Sequence, residues 1–78
     1  MEDKKTFVAK FGELLALTRE GVVSASYKQS KNGSEYMYIH YNSGATKKIN
    51  ISGSSEHAII GDYCRQITDA PWVLHEED

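Results

Sequence analysis

Residues 22–51 read VVSASYKQSKNGSEYMYIHYNSGATKKINI, and the pairing of this stretch decides the fold. Val22–Gln29 is β-branched and small, ending near Tyr27. Glu35–Tyr41 holds three tyrosines, Met37 and Ile39, a composition suited to a pleated, half-buried surface. Ala45–Ile51 alternates Lys47, Ile49 and Ile51 against Thr46, Lys48 and Asn50. Asn32-Gly33 and Asn42-Ser43-Gly44 separate the runs, and both tolerate the positive φ of hairpin turns. The stretch is therefore a three-stranded antiparallel meander.

Register follows from which core each loop length makes. A two-residue turn pairs Tyr27 with Tyr38, whereas a three-residue turn ending on Gly33 pairs Tyr27 with Met37. One residue of slip moves every side chain to the opposite face. Three-residue turns in both hairpins put Val23, Ala25, Tyr27, Met37, Ile39, Tyr41, Ile49 and Ile51 on one face. Ser24, Ser26, Lys28, Tyr36, Tyr38, His40, Thr46, Lys48 and Asn50 then share the other. That division is cleanly apolar against polar, so the three-residue register is expected.

Two amphipathic helices flank the meander. Over residues 4–18, Phe7, Phe11, Leu14 and Leu15 recur at helical spacing, widened by Val8. Asp3 or Thr6 is placed to cap its start, and Gly21 to end it. A second helix opens after Ser52-Gly53, with Ser54 the expected cap and Glu56 in the first turn. Its stripe reads Ile60, Tyr63, Cys64 and Ile67, with Ile59 beside it and Gly61 offering close packing on the sheet. Pro71 bars simple continuation. Residues 70–78 are either a short third helix or an extended, flexible acidic tail. The fold class is α+β, in the order helix, three-stranded meander, helix.

The chain has 78 residues, nine basic and eleven acidic, for a formal net charge of −2. This length suits one small domain over residues 1–78. Its single cysteine cannot form an internal disulfide. No apolar run approaches the ~18 residues of a membrane span, and the N-terminus lacks a signal-peptide pattern. A cytoplasmic location is the expectation. Lys4, Lys5, Lys10, Lys28, Lys31, Lys47 and Lys48 precede residue 50. Beyond it Glu56, Asp62, Asp69, Glu76, Glu77 and Asp78 oppose Arg65.

No catalytic or metal-binding constellation is legible. His40, His57, His75 and Cys64 share no zinc-ligand spacing. Cys64 falls on the apolar stripe and reads as a buried structural thiol. Gly33, Gly44 and Gly53 lie in separate turns, not in one phosphate-cradling loop. Neither enzymatic activity nor a cofactor is expected. With both helices on the apolar face, the polar face meets solvent and carries Tyr36, Tyr38 and His40, flanked by Lys28 and Lys48. Tyrosine is a frequent anchor of protein interfaces and also a stacking platform for single-stranded bases. It is equally an ordinary residue of half-exposed strands. Glu76, Glu77 and Asp78 form a second candidate, an acidic patch able to steer a basic partner. Few basic residues and a negative net charge favour a protein partner over nucleic acid.

The α-β-β-β-α order resembles that of the double-stranded-RNA-binding domain. That family opens its second helix with lysines aimed at phosphates, where this chain has Ser54-Ser55-Glu56-His57, so that mode of recognition is not expected. In size, acidity and element order the chain also resembles small phage and prophage proteins of the anti-CRISPR type. That resemblance implies a non-enzymatic inhibitor or adaptor acting on a larger host protein. A single-stranded nucleic-acid binder using Tyr36, Tyr38, Lys28 and Lys48 is the rival reading. A homodimer joined sheet to sheet, or through the strand at Val22–Gln29, is a third.

Overall fold

A computed structural model describes residues 4–73. The elements run α1 (Lys4–Thr18), β1 (Val22–Gln29), β2 (Glu35–Tyr41), β3 (Thr46–Asn50), α2 (Glu56–Gln66) and β4 (Trp72–Val73). The strands form one antiparallel sheet in the order β1-β2-β3-β4, so the fold is α+β.

Both hairpins close with three-residue turns. Gly33 N–H donates to the Ser30 carbonyl at 3.0 Å, and Gly44 N–H to that of Tyr41 at 3.0 Å. Both glycines hold φ near +90°, which a side chain at those positions would strain. The register is consequently Tyr27↔Met37↔Ile49 on one face and Ser26↔Tyr38↔Lys48 on the other. One position departs from the expected alternation. A bulge between Val22 and Ser24 turns Val22 into the core opposite Tyr41 and leaves Val23 exposed.

The core lies between the inner sheet face and the helices. Met37, Ile39, Ile49 and Ile51 are fully buried there with Val8 and Ile59. Phe7 stacks near Phe11, which meets Tyr63 of α2 edge-on at 5.4 Å. The buried line of α1 is Val8, Gly12 and Leu15, whereas Leu14 is exposed. The reason is distance. A Cβ at Gly12 would stand 2.3 Å from the Ala25 backbone nitrogen, so α1 seats on β1 at the one residue with no side chain. Gly61 plays no such part, since a Cβ there meets only the Arg65 guanidinium, at 3.0 Å.

Ser55, not Ser54, caps α2, accepting from Ala58 N–H. Ser54 instead donates to the buried Asp62, which also pairs with Arg65. Because Asp62 occupies the inward line with Ile59 and Tyr63, Ile60 and Cys64 turn outward. The expected buried thiol is therefore exposed. At the far edge of the sheet, Trp72 and Val73 pair with Lys47 and Thr46 as a strand. They are extended, which rules out a third helix at those two residues, and residues 74–78 lie outside the described chain. The rest of the β3 edge is also occupied. The Pro71 carbonyl accepts from Lys48 N–H at 3.1 Å, and the Gln66 amide bonds both the N–H and the C=O of Asn50.

Two glycine substitutions separate space from propensity. Gly12→Ala is expected to lower stability by about 1–3 kcal/mol, because overpacking against backbone outweighs the helical gain. Gly61→Ala is expected to raise it by up to about 1 kcal/mol. Urea denaturation midpoints check both. The exposed Cys64 thiol is expected to react with a thiol reagent in native buffer, without denaturant.

Candidate functional site

The outer sheet face carries the residues expected there. Tyr36, Tyr38 and His40 alternate along β2, Lys28 pairs with Tyr36, and Lys48 pairs with Tyr38. Neither of the hydrophobic stripes of α1 and α2 reaches this face, because both meet the apolar side. The aromatic row is not uniform. Tyr36 is half-buried, and the Lys48 ammonium lies over its ring at 4.2 Å, within cation–π range. Tyr38, 6.4 Å from Tyr36 between ring centroids, is fully buried. The expected open row of two tyrosines thus reduces to one partly accessible ring. Glu76, Glu77 and Asp78 lie outside the described residues.

His40 bridges three strands. Ser26 Oγ and His40 Nε2 are 2.9 Å apart, and His40 Nδ1 lies 3.3 Å from Thr46 Oγ1. In a neutral ring one nitrogen donates and the other accepts, so the two hydroxyls take opposite roles. A serine within reach of a histidine is the start of a nucleophilic pair. Here a threonine hydroxyl stands where a carboxylate would orient the ring. The neighbouring β2 backbone is engaged in ladders with β1 and β3. The row holds the outer face together across Ser26, His40 and Thr46. Reading the register alone would have placed these three side chains on one face. Their hydrogen bonds needed the geometry.

Two charges on the inner face escaped the sequence reading. Glu35 accepts from Lys4 Nζ at 2.6 Å, from the Tyr27 hydroxyl at 2.6 Å and from Gly53 N–H at 3.3 Å. Those donors hold its carboxyl below the usual glutamate range, the Lys4 bond first and the Tyr27 bond second. Lys4 sits in the first turn of α1, where the helix dipole disfavours a cation, and Glu35 offsets that. Lys4, Lys5, Tyr27 and Glu35 line an open depression of about 410 Å³. Glu35 bonds both Lys4 and Tyr27 there, which gives it the character of a structural clasp. At the opposite corner Lys47 Nζ donates to the Ile67 carbonyl at 2.5 Å, at the C-terminus of α2. The same ammonium lies 4.8 Å from the centre of the Trp72 ring, which meets Tyr41 edge-on. Burial there pushes the Tyr41 phenol up, with Tyr63 adding to the shift and Arg19 opposing it.

Among the described residues no group of three or more His, Cys, Asp or Glu side chains is placed to hold a metal ion. No helix among them is long and apolar enough to cross a membrane. Compared with protein-family models, curated proteins and solved structures, the chain matches none.

The Glu35 clasp makes stability depend on pH. The carboxyl titrates below its ordinary value of 4.5 in the folded chain. Its contribution is therefore complete above that value and is lost as pH falls from it through the lower folded value. Denaturant midpoints measured from pH 7 to pH 3 should fall through this window. In Glu35→Gln the fall should be shallower and the pH 7 midpoint lower.

Proposed function

We propose that this chain is a small, non-enzymatic protein-binding module whose contact surface is the outer sheet face. One observation carries the reading: both helices cover the same face, and the opposite one presents Tyr36, His40, Lys28 and Lys48 together. A partly exposed tyrosine beside cations is the kind of anchor that dominates protein interfaces. The lysines suit an acidic partner surface, and Glu76, Glu77 and Asp78 add the opposite charge to the same chain. Such a module acts as an inhibitor or adaptor on a larger host protein, of the kind carried by phage. That class follows the resemblance in size, acidity and element order.

The geometry favours a protein partner over single-stranded nucleic acid. Base stacking needs accessible ring faces. Lys48 lies over the Tyr36 ring, and the Tyr38 ring is buried. The serine–histidine–threonine row ties β1, β2 and β3 together on the outer face, which suits a rigid contact surface.

Immobilised protein exposed to lysate of its source cells should retain a discrete partner. Tyr36→Ala should weaken retention about 30-fold, the equivalent of the ~2 kcal/mol of an interface anchor. Retention unchanged by Tyr36→Ala and by Lys28→Ala/Lys48→Ala would remove the outer face as the contact surface. Labelled single-stranded oligonucleotides should show no micromolar binding, and a steep salt-dependent isotherm would overturn the choice of partner.

A further inference from the structure

β1 is the long outermost strand of the sheet, and its ladder shows which backbone groups turn outward. Ser30 N–H donates to the Ser34 carbonyl at 2.8 Å, and bonded pairs alternate along an antiparallel ladder from there. Ala25 and Gln29 have the opposite parity to Ser30, so their N–H and C=O groups turn away from β2. Among the described residues nothing takes up those backbone groups.

α1 supplies a wall along this edge. Phe11 faces Tyr63 of α2, and Gly12 seats on Ala25. At helical spacing, Lys5, Ala9 and Glu13 then fall on the side of α1 away from α2, toward the β1 edge. All three are exposed. The two elements run antiparallel, because Gly12 lies at Ala25 while Lys4 bonds Glu35, the cross-strand partner of Gln29. Lys5 therefore stands at the Gln29 end of the wall and Glu13 at the Ala25 end. Neither charge bonds anything among the described residues. The step from Lys5 to Glu13 is about 12 Å at ~1.5 Å per helical residue, and that from Ala25 to Gln29 about 13 Å at ~3.3 Å per strand residue.

We infer that the outer edge of β1 takes up an extended segment of a partner protein as an additional strand. The segment runs antiparallel to β1, with an acidic residue opposite Gln29, a small apolar residue at its centre and a basic residue opposite Ala25. The two charged residues exchange main-chain bonds with Gln29 and Ala25. By the pleat their side chains point toward α1, where Lys5 meets the acid and Glu13 the base. The short Ala9 side chain leaves room for the central residue. The open depression of about 410 Å³ lined in part by Lys5 gives room for the acid. A second copy fits this edge less well. It would have to move its own α1 aside, since neighbouring strands lie about 4.8 Å apart and packed helices about 8–10 Å. The inference rests on the reading that the partner is a protein, and it adds a contact at the sheet margin to that on the outer face.

Acetyl-Thr-Glu-Thr-Ala-Thr-Lys-Thr-amide titrated into the isotope-enriched full chain tests it. The amide signals of Ala25 and Gln29 should shift, with a dissociation constant on the order of 1 mM for a short peptide that must order itself on binding. The peptide with glutamate and lysine exchanged should bind about fivefold more weakly, because two exposed ion pairs become repulsions. Lys5→Glu/Glu13→Lys should reverse that preference. Methylating the backbone nitrogens of the peptide's glutamate and lysine should abolish the shifts. The inference is overturned by an absence of shifts at several millimolar peptide, by equal binding of the two peptides, or by binding that survives methylation. Shifts confined to Tyr36 and His40 overturn it too. So does a shift of Ala25 and Gln29 with protein concentration alone, which would make the occupant a second copy. Retention lost on Tyr36→Ala without peptide binding removes the edge and leaves the outer face. Peptide binding with retention unchanged by the outer-face substitutions does the reverse.

Discussion

Everything in this molecule depends on two turns that each end on a left-handed glycine. Gly33 and Gly44 close loops of the same length, so β2 meets both neighbours in the same parity. Met37 and Ile39 then fall on the side the helices cover, and Tyr36, Tyr38 and His40 fall on the other. A one-residue change in either turn would set β2 at odds with one neighbour, bringing tyrosine and histidine into the core. Local backbone chemistry at two positions therefore decides both what holds the fold together and what is offered to the outside.

The strands and both helices were legible because turn residues and apolar spacing agree. Which helical residue faces inward was less so. Counting apolar residues assigns Leu14 to the core of α1, but the helix is drawn down at Gly12 onto Ala25 and rotates Leu14 out. Hydrophobic spacing carries no information about how closely two backbones approach. The same limit applies in α2, where a buried aspartate takes an inward position and sends Cys64 outward. A carboxylate becomes tolerable inside only when a hydroxyl and a guanidinium meet it, as Ser54 and Arg65 do.

The candidate surface was legible as a set of residues and not as a set of exposures. The register places Lys28, Tyr36, Tyr38, His40 and Lys48 together, as their alternation implies. Alternation says nothing about what lies above the sheet, so the burial of Tyr38 and the cation over Tyr36 could not be read from it. The charged residues of the inner face are the counterpart. Glu35 and Lys47 each reach one helix terminus from the sheet, at the start of α1 and the end of α2. They fix the ends of helices whose middles are held by apolar packing.

The side-chain amide of Gln66 has a consequence beyond holding α2. By taking the N–H and C=O of Asn50 it imitates a short piece of strand, and it continues the line begun by β4 and Pro71. Among the described residues the β3 margin is thereby taken up, leaving the two residues of β4 as the edge on that side, while the eight residues of β1 form the other. A strand added from outside finds its longer template at β1. Two copies joined through β1 would pair by their long edges and leave short ones on both flanks.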